Sequence, residues 1–212
     1  MTVIAVMNQK GGAGKTTICT GLSGALRHDG RDTVLVDSDP QGSILDWANA
    51  NPQQPMQVYV IERPQLEREI PKLKNEFVII DGTAKAADLA KKTINVADLI
   101  LIPVSPSPLD IWATSELVHL VQDRMDELKG TGQTLKAAFV VNRAFGNTKL
   151  SKQIAKVLEG YGFPVLKSRL VNRAEHPNSQ ASGRTPLDSQ PRGAAANELR
   201  ALKDEVLALL EA

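Results

Sequence analysis

The sequence predicts an α/β fold of three layers, a mostly parallel twisted β-sheet with helices on both faces. Three observations carry this. Short runs of Val, Ile and Leu alternate along the chain with longer stretches of helical periodicity. Several of those runs, such as Phe77-Val-Ile-Ile80, are apolar throughout, which suits strands covered on both sides. The composition, 42% hydrophobic but only 4% aromatic, fits an aliphatic sheet under Ala- and Leu-rich helices. The 212 residues are enough for one such domain with a sizeable core, and a single domain over 1–212 is expected. No repeat, low-complexity block or dividing linker interrupts the pattern.

In order, the first strand is predicted over Thr2–Met7 and the first helix over Lys15–His28, joined by a glycine-rich turn. A strand over Thr33–Val36 leads to a helix over Gly42–Ala50. A strand over Gln57–Ile61 precedes a helix over Pro64–Leu73, and the apolar Phe77–Ile80 precedes a helix over Ala86–Asn95. Leu99–Val104 is the next strand. Ser107 and Pro108 then read as N-cap and first position of a long helix over Leu109–Leu128. Ala137–Val141 is a strand, Thr148–Tyr161 a helix, and a shorter strand lies near Val165. Asn172–Arg192, rich in Pro, Ser, Asn and Gln, reads as an ordered but irregular surface segment. The last helix, Gly193–Leu210, carries Leu199, Leu202, Val206 and Leu209 along one face. Crossovers between parallel strands should be right-handed, with ligands at the carboxyl ends of the strands.

The turn Lys10-Gly-Gly-Ala-Gly-Lys-Thr-Thr17 sits between the first strand and the first helix. Glycines there let successive N–H groups point inward, and the positive end of the helix adds to a nest for phosphate oxygens. Gly11, Gly12, Ala13 and Gly14 form the cradle. Lys15 and Thr17 extend it, and the Thr16 hydroxyl is placed to ligate Mg²⁺. The common pattern G-x-x-x-x-G-K-[ST] is not met. Its first glycine would fall at Gln9, and Lys10 stands beside it. Further along, Asp37-Ser-Asp39-Pro-Gln41 ends the second strand with two carboxylates at alternate positions, hence on the same side. Asp81 follows four apolar strand residues, which places a carboxylate near a bound metal.

Two lysines bracketing the glycines, K-G-G-x-G-K-T, with D-x-D-P-Q and the later strand-end Asp, resemble the deviant Walker A ATPases of the ParA/MinD family. The likeness is closest to small ParA-type partition ATPases without an N-terminal helix-turn-helix domain. It runs along essentially the whole chain and implies the phosphate-loop NTPase fold, with ATP and Mg²⁺ as ligands. It also implies that Lys15 and Asp39 are catalytic, Asp39 positioning or activating the water. Asp37 would support the metal shell with Thr16 and Asp81. Lys10, catalytic as well, would reach across an ATP-dependent sandwich dimer to bind the partner's nucleotide, rather as an arginine finger does. The family more often has x-P-P after the later Asp, where this chain has Gly82-Thr83-Ala84.

For the base, Asn142 follows a strand and suits donor–acceptor pairing with adenine. Pro106, in the loop Pro103–Pro108, either lines the same pocket or only introduces the next helix. No N-K-x-D guanine signature follows a strand, so ATP is expected rather than GTP. His28, His119 and His176 have no ligand spacing. The single cysteine, Cys19, excludes an intramolecular disulfide and a shared iron–sulfur cluster, and reads as a small buried thiol. Trp47 and Trp112 read as packing or dimer contacts.

The formal net charge is only +1, but nine Lys or Arg face three acids between Arg143 and Arg192. Such a basic surface suits salt-sensitive, sequence-independent binding of double-stranded DNA. By the resemblance, Arg169, Arg173, Arg184 and Arg192 are its candidates. The last helix carries four acids against two bases from Glu198 to Glu211, which disfavours a lipid surface. No apolar run approaches the ~20 residues of a spanning helix. A cytoplasmic, nucleoid-associated ATPase without a membrane partner is therefore expected. Its cargo would be a plasmid or chromosome held through a ParB-like adaptor, or alternatively a protein assembly such as a carboxysome or chemotaxis cluster. A metabolic synthetase or kinase on the same fold would need a second substrate pocket.

Overall fold

The computed structural model describes residues 1–53, 56–83, 86–144, 154 and 156–212. Its centre is a seven-stranded sheet in the order β3-β2-β4-β1-β5-β6-β7. The strands are β1 (Thr2–Asn8), β2 (Thr33–Asp37), β3 (Val58–Val60), β4 (Phe77–Thr83), β5 (Leu99–Val104), β6 (Lys136–Ala144) and β7 (Val165–Val171). Every neighbouring pair is parallel. The predicted phosphate-loop NTPase architecture is thus the observed one.

Alternation along each strand divides the core into two layers. Val3, Ala5 and Met7 of β1 point to one side, where they meet Val78 and Ile80 of β4. That layer is closed by α4 (Ala87–Val96), through Ile94, and α6 (Ser115–Glu127), through Leu117 and Val121. Ile4 and Val6 point to the other side. There α1 (Lys15–His28), α2 (Ser43–Asn49) and α9 (Ala194–Glu211) contribute Ile18, Leu22, Ile44, Leu199, Leu202 and Val206. Each fully buried aliphatic side chain of this kind stabilises by roughly 1.5–3 kcal/mol. Cys19 lies in the same layer as a fully buried thiol, and burial raises its pKa well above the ordinary value.

Three predicted elements differ. The helix expected over Pro64–Leu73 is α3 (Leu66–Glu69) flanked by 3₁₀ turns at Arg63–Gln65 and Ile70–Lys72. Pro71 has no N–H to continue an α-helical ladder, so the last turn tightens. The helix expected over Leu109–Leu128 is split into α5 (Pro108–Trp112) and α6. At the break, Thr114 Oγ1 donates to the Ile111 carbonyl at 2.6 Å and Ser115 Oγ to that of Trp112 at 3.0 Å. These hydroxyls take acceptors that a continuing helix would use. The segment Asn172–Arg192 is not wholly irregular, since it holds α7 (Glu175–Gln180) and α8 (Pro186–Ser189). Half of the helix predicted over Thr148–Tyr161 lies outside the described residues, and residues 154 and 156–159 are helical.

The last helix packs as its apolar stripe requires. Leu199, Leu202 and Val206 are fully buried. Its acids turn toward β7. Glu205 accepts from the backbone N–H groups of Lys167 and Ser168 at 2.7 and 2.8 Å, and Glu198 from that of Val171 at 3.0 Å. Edge-strand donors that would otherwise be open are thereby satisfied. No helix among the described residues is long and apolar enough to cross a membrane.

Candidate nucleotide site

β1, β2 and β4 end together at one margin of the sheet, with Val6 and Asp37 both in register with Asp81. The loop after β1 curls over this margin into α1. Gly12 and Gly14 have φ of 76° and 96°, a region that glycine enters without steric cost. Gly14 has a second reason to lack a side chain. A Cβ there would lie 1.7 Å from Asn142 Nδ2.

Thr16 Oγ1 donates to Asp81 Oδ2 at 2.6 Å, tying the first turn of α1 to the end of β4. Asp37 Oδ2 accepts from the N–H groups of Ile44 and Leu45, both at 3.0 Å, and so caps α2. Its neighbour Asp39 faces Lys15, with Oδ2 and Nζ 3.8 Å apart and both side chains largely enclosed. Asp81 and Asp37 each keep a buried oxygen, Oδ1, without a partner. Burial drives the Asp81 pKa up to about 6. The Thr16 hydrogen bond and the Lys15 charge oppose this, and the Asp37 and Asp39 charges add to it. Burial also raises Asp37, against the hydrogen bonds it accepts from the backbone.

These features fit a hard divalent cation. Two orphaned carboxylate oxygens beside a threonine hydroxyl are the donors that Mg²⁺ favours. Among the described residues, no group of three or more His, Cys, Asp or Glu side chains could hold a metal unaided. That is the expected condition for Mg²⁺, which keeps water and substrate phosphates in its shell. Beside these residues lies a cleft of about 190 Å³, lined by Gln9, Gly11, Lys15, Asp39, Arg63 and Thr83 among others.

Lys10 does not line that cleft. Its ammonium pairs with Asp110 of the same chain, in α5. The backbone supports this placement, because Asn8 Oδ1 accepts from Lys10 N–H at 2.8 Å while Asn8 Nδ2 donates to the Pro103 carbonyl at 2.6 Å. Pro106 is buried in the loop that carries Asp110 into place. Ser107 and Pro108 hold the predicted N-cap and first helical positions.

Asn142, at the end of β6, donates from Nδ2 to the Ala13 carbonyl at 2.8 Å. One of its two Nδ2–H donors is thus engaged with the loop. A polar cavity of about 210 Å³ adjoins it, between Thr17, Asn142, Arg143, Arg173, His176 and Gln180. Gln180 Nε2 donates to Thr17 Oγ1 at 3.1 Å. His176 Nε2 is buried without a partner, and burial lowers the pKa of its imidazole. Arg143 adopts φ 53°, a conformation rare for a side-chain-bearing residue and concentrated at functional sites. The sequence signals neither the contact of Gln180 with Thr17 nor the placement of His176 in this cavity, because both lie in the segment read as irregular. The signal available was Asn142-Arg143 at a strand end.

A further cavity of about 510 Å³ adjoins the cleft lined by Lys15, sharing Asp39, Pro40 and Arg63 with it and lined also by Val60, Ile61 and Leu89. The arginines proposed for DNA are differently placed. Arg173 is paired with Glu198, both Nε and Nη2 lying 2.9 Å from Oε1. Arg169 is half-buried on β7, whereas Arg184 and Arg192 are exposed. Trp47 is buried and Trp112 is 64% exposed.

A glycine loop, two buried acids and a lysine–aspartate pair at the carboxyl ends of parallel strands define a nucleotide-binding domain. The chain belongs to the family described as the CobQ/CobB/MinD/ParA nucleotide binding domain, which matches residues 4–187. It is similar to the maintenance of carboxysome distribution protein A of Halothiobacillus neapolitanus, at 32% identity over 96% of this chain and 95% of the relative. The Protein ParA of Rhizobium radiobacter is 26% identical over 83% of this chain and 81% of its own length. Among solved structures, the septum site-determining protein MinD of Pyrococcus horikoshii, complexed with Mg-ADP, matches with a TM-score of 0.74. That alignment has 21% identity and covers 100% of this chain and 98% of the other.

Proposed function

We propose that this protein is a Mg²⁺-dependent ATPase that positions a cargo, forming a dimer around ATP and releasing it on hydrolysis. The observation that carries the reading is the joining of Thr16 to Asp81 and of Lys15 to Asp39 around one cleft. Gly11 to Thr17 would cradle the phosphates, and Thr16, Asp81 and Asp37 would surround the metal. The cation, when bound, neutralises charge on the outer phosphate oxygens. Asp39, enclosed beside Lys15, would orient the attacking water, and Lys10 would serve the nucleotide of a second copy. A fold of 1–212 as one domain accords with the single sheet.

A protein assembly as cargo is better supported than the plasmid or chromosome expected first. The support is the relative maintaining carboxysome distribution, which aligns over nearly the whole of both chains. An adaptor protein would then link the ATPase to that assembly. Duplex DNA would be held without base readout, with Arg184 and Arg192 the better placed candidates because both are exposed. Arg173 is already neutralised by Glu198. A cytoplasmic protein associated with the nucleoid would follow.

The deciding experiment has two parts. Sedimentation with Mg-ATP, using an Asp39→Ala variant to slow hydrolysis, should show a dimer that is retained on any duplex DNA at low salt. A tagged chain in its host should track protein assemblies and lose them when the adaptor is deleted. A variant that stays monomeric with ATP and ignores DNA refutes the reading. One observation favours a second reading, a synthetase acting on a small molecule. The cavity of about 510 Å³ beside Asp39 is large enough for a second substrate. An ATPase rate that depends on a metabolite would select it.

A further inference from the structure

We propose that Arg63 is a catalytic cation of this site, acting on the terminal phosphate of the nucleotide bound in its own chain. The inference rests on the reading of the site as one for ATP hydrolysis.

The fold delivers Arg63 to the reacting end of the cleft. Past β3 the chain is clamped to β2, where Ile61 N–H donates to the Asp37 carbonyl at 3.1 Å. Two residues later Arg63 opens a 3₁₀ turn whose backbone is fixed by Pro64. Arg63 Nη1 donates to the Thr83 carbonyl at 3.4 Å. Thr83 lies two residues beyond Asp81, in register with Asn8, the last residue of β1 before the loop. The guanidinium is therefore held at the loop end of the sheet, on the cleft lined by Lys15 and Asp39.

Burial points the same way. Arg63 is only 9% exposed, which is rare for arginine. Though so enclosed, it lines the same cleft as Lys15 and Asp39. Lys10, the other cation of the loop, is turned away to Asp110. Lys15 and Arg63 are thus the two basic side chains that line the cleft within one chain.

The chemistry can use such a group. The water oxygen bonds to the terminal phosphorus while the bond from that phosphorus to the bridging oxygen breaks. ADP departs with the bonding pair, and the proton of the water leaves with inorganic phosphate or to solvent. Negative charge is redistributed over the bridging and equatorial oxygens, and an arginine in cis can stabilise it. A planar guanidinium can contact two of those oxygens at once, which an ammonium cannot do with equal geometry.

The test compares Arg63→Gln, Arg63→Lys and Arg63→Ala with the parent protein. Turnover of Mg-ATP should fall about a hundredfold or more in Arg63→Gln, with Arg63→Lys between it and the parent. ADP affinity should stay within about threefold, while the preference for ATP over ADP should fall about tenfold. Millimolar guanidinium should restore part of the turnover of Arg63→Ala. Turnover near that of the parent overturns the proposal. So does an equal loss of ADP and ATP affinity that guanidinium leaves unchanged, because the role of Arg63 is then structural. A parent that binds neither nucleotide overturns the reading of the site together with this one.

Discussion

Lys10 and Asp110 form an ion pair within one chain, joining the start of the phosphate loop to α5. The two partners are unequally exposed. The lysine side chain is 44% accessible and the aspartate side chain 9%. Around the pair, Leu109 and Trp112 leave large apolar surfaces exposed at 67% and 64%. If Lys10 serves the nucleotide of a second copy, it has to leave Asp110 first. The carboxylate left behind is enclosed, and an unpaired buried charge costs about 1–3 kcal/mol or more. Asp110 would thus set a threshold for dimerisation. Replacing it as Asp110→Asn should let the ATP-bound dimer form at about tenfold lower protein concentration. Sedimentation in the Asp39→Ala background reads this directly. A weaker or unchanged dimer would show that Asp110 does not restrain Lys10.

That pair also shows where legibility in the sequence ended. The ends of α1 and β5 fall where periodicity places them, because both are bounded by strong local signals: the glycine loop, and Pro103 through Pro108. Thr16, Asp39 and Asp81 were readable because each occupies a strand or helix end next to an apolar run. Asp110 and Arg63 were not. Each is a single charged residue within two positions of a proline, and its role depends on contacts with Lys10 or Thr83, which are remote in sequence. Thr114 misled in the opposite way. Its hydroxyl breaks a stretch whose apolar spacing alone is continuous. The competition between side-chain and backbone hydrogen bonds leaves little trace in hydrophobic periodicity.

Asp81 should make the ligand-free protein sensitive to pH. Its carboxyl is raised to about 6 in the folded chain, chiefly by burial. The unfolded carboxyl ionises near 3.9. Between those values the folded state binds the extra proton, so stability falls as pH rises and levels off above about 6. Asp81→Asn should remove that decline and raise the melting temperature at neutral pH by a few degrees without nucleotide. The same substitution should abolish the Mg²⁺ dependence of ATP binding. Melting curves between pH 4 and 8 on the apo protein test the first point, and calorimetry with and without Mg²⁺ the second. An Asp81→Asn variant whose melting temperature changes with pH just as the parent's does would contradict the burial argument.

Gly14 and Asn142 should behave as a coupled pair. A Cβ at Gly14 would lie 1.7 Å from the Asn142 amide nitrogen, which itself holds the Ala13 carbonyl. Gly14→Ala therefore meets a clash, and also a φ of 96° that disfavours alanine by roughly 1–2 kcal/mol. Nucleotide affinity should fall at least about tenfold, since the loop must move. Adding Asn142→Ala should relieve the clash but not the backbone strain, so the double variant should recover part of the loss. A double-mutant cycle by calorimetry measures the coupling. Strict additivity would mean that the loop relaxes without reference to Asn142.

Glu205 offers the opposite pH signature, far from the nucleotide. Its carboxylate accepts from Lys167 N–H at 2.7 Å, Ser168 N–H at 2.8 Å and Ser168 Oγ at 2.6 Å. Burial would raise its pKa, but the hydrogen bonds from Ser168 and Lys167 outweigh burial and hold it below the ordinary 4.5. The charged form is thus favoured by folding. The stabilisation is complete above the unfolded pKa and is lost as pH falls through the folded one. Glu205→Gln retains the shape but offers one acceptor oxygen and turns an amide N–H toward donors. Its melting temperature should lie several degrees below the parent's at pH 7, and the two should converge in acid, once the parent's carboxylate is protonated. Thermal melts at neutral and at acid pH check this. A difference that persists unchanged into acid would place the contribution of Glu205 in packing of α9 rather than in its charge.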